Sequence, residues 1–167
     1  MGRHASYYLP LIPLLTALTT AGSAAEFTVV TDGRPAATIC HLGQEGAPEL
    51  AAELQHYIKA VSGAKLPIEQ ISAESPASRR DRLPAIVLWY GDDIIHSQPP
   101  PANDLRPDGF FQISEADGIG IMARNLAGLR YGVYDLLEQT GVRWYMPTEL
   151  GEHIPRKDTI SFEEFEN

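Results

Sequence analysis

Two stretches of the chain repeat their apolar residues at the three- and four-residue steps of a helix. In the first, Leu50, Leu54, Tyr57, Ile58 and Val61 form one stripe, as expected of a helix lying on a sheet. Pro48 suits its first turn, where no backbone N–H is required. Glu49 and Lys59 complement the two ends of the helix dipole, and Gly63 closes the helix. In the second, Leu126, Leu129, Val133, Leu136, Leu137 and Thr140 share a face. Asn125 offers an N-cap, and Gly141 a position after the last turn where positive φ costs little.

Strands are predicted where β-branched and aromatic residues run between turn signals. Glu26–Thr31 comes first, joined through the turn Asp32-Gly33-Arg34-Pro35 to Ala36–Leu42 as the two arms of a hairpin. Leu66–Ile71 follows the first helix. Ala85–Tyr90 (AIVLWY) is continuously apolar between Pro84 and Gly91, the pattern of a strand buried on both faces at the centre of a sheet. Gly109–Ser114 and Ile119–Ala123 form a second hairpin around Glu115–Gly118. Val142–Tyr145 reads as a buried strand leaving the second helix and ended by Pro147, and Thr159–Phe162 as a last edge strand. Ser72–Arg82, Gln98–Pro107 and Thr148–Pro155 read as loops, and the closing FEEFEN carries no stop signal. Two helices with one apolar face each, plus six to eight strands, make an α/β (α+β) two-layer sandwich on a mixed sheet. Its candidate core is Leu50, Leu54, Ile58, Val61, Ile86, Leu88, Leu129, Val133, Leu136 and Leu137.

Composition narrows this picture. The chain has 167 residues, 44% hydrophobic and 21% charged, enough for one domain with a real core. Residues 1–25 fall outside that domain. Arg3 and His4 form a weakly basic start, Tyr7–Leu18 an apolar run broken by Pro10 and Pro13, and Ala21–Ala25 a small-residue segment. This is the three-part pattern of a secretory signal cleaved after Ala25 or Ala24, and it places the mature 26–167 domain outside the cytoplasm, secreted or periplasmic. The run is short for an uncleaved membrane anchor, and no later stretch could span a bilayer.

Cleavage would remove Arg3 and no acid, taking the formal charge from -9 to -10. So acidic a chain, with no basic stripe, repels phosphate backbones, which argues against a nucleic-acid partner. The lone Cys40 lies in an apolar run and reads as a buried thiol, so core packing rather than a disulfide must hold the domain.

Little in the chain carries chemistry. Gly118–Ala123 matches the letters G-x-G-x-x-A, but the residues after the first glycine read as a strand rather than a helix start, so a hairpin is the better reading. Asp92/Asp93 and Asp135/Glu138 are the available acid pairs, and both read as solvated turn or helix-surface acids. His41, His56, His96 and His153 lack metal-ligand spacing. No catalytic constellation, metal site or cofactor motif is recognised. Gly128 and Gly132, four apart on the second helix, imply a close approach of backbone, to this domain's own sheet or to another domain, and are the candidate interdomain packing residues. Arg143-Trp144-Tyr145 is the densest chemical cluster. Strand alternation puts Arg143 and Tyr145 on one face, where they are candidate glycan contacts, and Val142 and Trp144 on the other. A core Trp beside a structural Arg is the favoured reading.

Three segments together resemble a known domain: ELAAELQHYIKAVSGAKLPI (Glu49–Ile68), AIVLWYG (Ala85–Gly91) and above all LAGLRYGVYDLLEQTGVRWYMPTELGEHIP (Leu126–Pro155). They resemble the N-terminal domain ahead of the catalytic barrel in α-glucuronidase-like glycoside hydrolases, similar in turn to the corresponding domain of β-hexosaminidases. The resemblance implies a small α/β sandwich packed on a barrel that carries the catalytic carboxylates, so no catalytic residue is carried over to this chain, which ends about where the barrel should begin. It further implies a non-catalytic accessory domain of a secreted polysaccharide-degrading enzyme. Its partners would be the barrel, in cis or from an adjacent chain, and polysaccharide. The alternative is a stand-alone secreted module that binds glycan or protein.

Overall fold

The computed structural model describes residues 26–72, 84–91 and 105–166. Its strands are β1 (Glu26–Thr31), β2 (Arg34–Pro35), β3 (Thr38–His41), β4 (Ile68–Gln70), β5 (Ala85–Tyr90), β6 (Phe110–Glu115), β7 (Gly118–Ala123), β8 (Arg143–Trp144), β9 (Glu152–His153), β10 (Ile160–Glu163) and β11 (Phe165–Glu166). Among the described residues the α-helices are α1 (Ala47–Ser62) and α2 (Leu126–Gln139). The main sheet has six strands in the order β11-β6-β7-β5-β3-β4. It is mixed: β4, β3, β5 and β7 run parallel, while β6 pairs antiparallel with β7 and β11 with β6. Both helices pack on one face, α1 over β3 and β4 and α2 over β7 and β6, which makes the two-layer α+β sandwich that the apolar stripes predict.

The helix boundaries follow from local chemistry. Pro48 sits in the first turn of α1, and Gly46 and Gly63 bracket the helix at φ 77° and 81°. Asn125 caps α2 by accepting the Gly128 N–H at 2.9 Å, and Gly141, at φ 97°, lets the chain turn away after the helix. The ten predicted core residues are all buried. Ile39, Ile86, Leu88, Ile119 and Ile121 meet the helices from the sheet. Cys40, Val87, Trp89, Phe111 and Met122 form a second apolar cluster on the opposite face. Strand β5 is therefore buried on both sides, as its unbroken apolar run requires.

The structure corrects the strand pairing in several places. The predicted hairpin of Glu26–Thr31 with Ala36–Leu42 is split. Only Arg34–Pro35 folds back on β1, and Thr38–His41 crosses into the main sheet, parallel to β4 and β5. The other partner of β1 is β10, so the first and last parts of the domain meet in a three-stranded sheet, β10-β1-β2. A register shift between Thr28 and Val30 lets Val29 and Val30 both turn into the core. The closing residues are not a tail. After Glu164 the chain changes sheets, and Phe165–Glu166 pairs with Ser114 and Ile113. Val142–Tyr145 is no core strand either: only Arg143–Trp144 is extended, paired with Glu152–His153 in a separate two-residue hairpin. The stretch Thr148–Pro155, read as loop, thus contains β9 and a 3-10 turn at Glu149–Gly151. These additions bring the count to eleven short strands among the described residues. No helix among them is long and apolar enough to cross a membrane.

Candidate functional site

The β8–β9 hairpin is joined to both helices through Trp144. Tyr57 comes from the apolar stripe of α1 and Tyr134 from the outer half of α2. Each meets the indole edge-on, with ring centroids 5.2 and 4.8 Å away and interplanar angles of 87° and 89°, the arrangement favoured by aromatic quadrupoles. A chain of hydrogen bonds runs through the cluster. Trp144 Nε1–H donates to the Tyr57 hydroxyl at 3.0 Å, and that hydroxyl donates to Glu152 Oε1 at 2.9 Å. The Tyr134 hydroxyl donates to Glu53 Oε1 at 2.5 Å. Burial, followed by the hydrogen bond and charge of Glu53, pushes Tyr134 up to about 12. Tyr57 is also raised, first by burial and then by Glu152, against the opposing hydrogen bond from Trp144. Both phenols are thus held as neutral donors to carboxylates.

Beyond Trp144 the chain turns outward. The loop from Tyr145 to Gly151 is closed by its own backbone: Tyr145 N–H donates to Gly151 O, Thr148 N–H to Met146 O and Gly151 N–H to Thr148 O, each at 2.8 Å. A Cβ on Gly151 would lie 2.4 Å from Met146 O, so only glycine lets the loop close this tightly. The tied backbone presents large side chains to solvent, with Tyr145 76%, Met146 54% and Leu150 93% exposed. Trp144, Tyr145, Met146, Pro147, Thr148 and Glu152 line an open cleft at the base of this loop.

The residues singled out by sequence divide accordingly. Tyr145 stands in the cleft wall. Arg143 is not among the cleft-lining residues: its Nη1 donates to Glu138 O at 2.5 Å and to Val142 O at 2.7 Å, so the guanidinium serves the carbonyl end of α2. Gly128 and Gly132 approach this domain's own sheet and the segment entering it, one of the two contacts their spacing allows. A Cβ on Gly128 would lie 2.5 Å from Gly109 O, and one on Gly132 would lie 2.5 Å from Ile121 Cγ2. Both glycines are buried and bring α2 down onto β6, β7 and the segment entering β6.

The remaining motifs are structural or lie elsewhere. Gly118–Ala123 is strand β7, and Gly120 leaves room for the Trp89 ring, 3.1 Å from where a Cβ would be. Asp135 accepts from Gln139 Nε2 at 3.1 Å on the helix surface, and Glu138 is exposed. Asp92, Asp93 and His96 lie outside the described residues. His41 is buried and accepts the Gly43 N–H on Nδ1 at 3.1 Å, while His56 and His153 are exposed. Among the described residues, no three His, Cys, Asp or Glu stand close enough together to hold a metal ion. Sequence reasoning missed Glu53, Tyr57, Tyr134 and Glu152 as a group. Three elements contribute to it, and its one local signal is the spacing of Glu53 and Tyr57 on adjacent turns of α1.

No protein-family model matches the chain, and no curated protein does. The fold itself recurs in solved structures of glycoside hydrolases. It matches a family GH115 4-O-methyl-α-glucuronidase, BtGH115A, with specificity for decorated arabinogalactans, at a TM-score of 0.60 and 17% identity, over 84% of this chain and 18% of that one. It also matches the GH20 β-N-acetylhexosaminidase of Streptomyces coelicolor A3(2) at a TM-score of 0.50 and 17% identity, over 87% of this chain and 24% of that one. The fold is therefore an α+β sandwich of a kind that recurs as a part of larger glycoside hydrolases. At these identities the likeness is one of fold, and the chain spans less than a quarter of either enzyme.

Proposed function

We propose that this chain is a non-catalytic accessory domain of a secreted, polysaccharide-degrading glycoside hydrolase of the α-glucuronidase-like kind. In this reading it supports a catalytic barrel supplied in the same polypeptide or by an adjacent chain. The observation that carries the reading is the recurrence of the fold as an 18% and a 24% portion of two glycoside hydrolases. The exposed Met146 and Leu150 support it, since apolar side chains presented on a loop are a surface that a neighbouring domain would cover. Residues 1–25 direct export to the periplasm or beyond.

The full chain is expected to release no aryl group from nitrophenyl glycosides and no sugar from xylo-oligosaccharides. Turnover that persists through purification and vanishes on mutating an acid of this domain overturns the reading. Intact-mass measurement of the exported protein should place its N-terminus after Ala24 or Ala25, and retention of Met1 or Gly2 refutes the export signal.

A further inference from the structure

The cleft beside Trp144 combines two features that the fold does not need. Tyr145 is 76% exposed although it adjoins the half-buried aromatic cluster, so its ring serves no internal packing comparable to that of Trp144. Glu152 lines the same cleft, and its carboxylate is oriented from behind: Oε1 accepts from Tyr57, which is itself fixed by Trp144 Nε1–H. Thr148 adds a hydroxyl to the rim. An exposed aromatic face beside a pre-positioned acceptor is complementary to a pyranose, which offers a C–H face for stacking and hydroxyls as donors. We infer that this cleft is a binding subsite for neutral saccharides, with Tyr145 stacking on the ring and Glu152 accepting from a sugar hydroxyl through its second oxygen.

This inference rests on reading the domain as part of a glycan-acting protein and goes beyond that reading by naming a site and a ligand class. The charge selects within the class. A uronate carboxylate would approach both Glu152 and a chain of formal charge -9, and like charges repel. The site therefore takes neutral sugars and rejects glucuronate. Tyr57 acts as a positioning residue, through Glu152.

The test is amide NMR on the full chain titrated with xylotriose, cellotriose and glucuronic acid. The neutral sugars should shift resonances of Tyr145–Glu152, and glucuronic acid should not. Tyr145→Ala should weaken neutral-sugar binding by about tenfold. Tyr57→Phe should weaken it with the fold intact, as judged by the undisturbed spectrum of the sheet. Glu152→Gln is the sharper readout, because it should raise glucuronate binding relative to neutral sugars, which a merely structural role would not do. A folded chain that shifts with none of these sugars overturns the subsite, as does binding unchanged by both Tyr145→Ala and Glu152→Gln. Either result leaves the accessory-domain reading standing, since that falls on intrinsic hydrolysis instead. Selective shifts in this loop on adding a catalytic domain, with none from sugar, assign the cleft to protein docking and likewise overturn it.

Discussion

Replacing Gly128 with alanine tests how α2 is seated. An ideal Cβ there lies 2.5 Å from Gly109 O, 3.1 Å from Ala123 Cβ and 3.2 Å from Asp108 C. Non-bonded heavy atoms prefer separations of roughly 3.5 Å, so the helix or the facing segment must move by about 1 Å. No rotamer change relieves this, because the obstacle is backbone. That backbone is also tied: Gly109 N–H donates to Arg106 O at 2.9 Å, and Asn125 Nδ2 donates to Pro107 O at 2.5 Å. Alanine improves helix propensity by about 1 kcal/mol. Against this, overpacking costs about 1–3 kcal/mol, and displacing the first turn strains the Asn125 cap, worth about 1 kcal/mol. The net expectation is a loss of about 1–3 kcal/mol. In urea unfolding of the full chain, followed by far-UV circular dichroism, the midpoint should fall by about 0.5–1.5 M with an unchanged slope. Ala127→Gly, at the exposed neighbouring position in the same first turn, provides the scale, as it should cost at most about 1 kcal/mol through propensity alone. A Gly128→Ala protein as stable as the parent, or more stable, refutes the reasoning. That is the outcome expected if the glycine were kept open for a separate domain.

Three further predictions concern the cap and the titrating groups. Asn125→Ala removes the acceptor for Gly128 N–H and the donor to Pro107 O, and should cost about 1–2 kcal/mol in the same unfolding assay; a loss below a few tenths would show that the cap is not used. Tyr134, raised to about 12 chiefly by burial, keeps its proton in the fold where the unfolded chain loses it near pH 10, so its contribution is whole below pH 10 and lost as pH rises toward 12. Urea midpoints between pH 9 and 11.5 should fall more steeply for the parent than for Tyr134→Phe, and equal slopes would refute the coupling. His41 is shifted the other way. Burial lowers its pKa, partly opposed by Glu49, so its contribution is whole above about pH 6.5 and lost as pH falls through the lower folded value. Thermal melts from pH 7.5 to 5 should show a decline that His41→Gln lacks.

What could be read from the chain, and what could not, follows from the range of the forces involved. Both helices declare themselves within a dozen residues: Pro48 and Gly63, or Asn125 and Gly141, mark the ends, and the apolar stripe marks the buried face. The two-sided burial of β5 is legible for the same reason, since its environment is written in its own six residues. Sheet membership is not local. Nothing near Phe27 announces Phe162, its partner across the domain, and nothing in Ala36–Leu42 says that Thr38 will leave the hairpin to lie beside Ala85. Phe165 was illegible because two residues suffice for a strand only when an open edge, here that of β6, is already in place.

The same division runs through the stretch that best identifies the fold. From Leu126 to Trp144 the side chains that matter turn inward, toward the sheet, the cap and the pair of tyrosines, and Arg143 turns back to the carbonyls of α2. From Tyr145 to Leu150 the backbone satisfies itself, and Tyr145, Met146 and Leu150 are released to solvent. Exposing a leucine and an aromatic ring gains nothing for the domain by itself, because exposed apolar area lowers solubility without adding stability. Trp144 is where the two halves meet. Its ring joins the helix layer, its Nε1–H orients Tyr57 and through it Glu152, and its outer side forms part of the cleft. Trp144 therefore both packs against the helices and, through Tyr57, orients Glu152, and a substitution that spares the fold while loosening that clamp, such as Tyr57→Phe, separates the two roles.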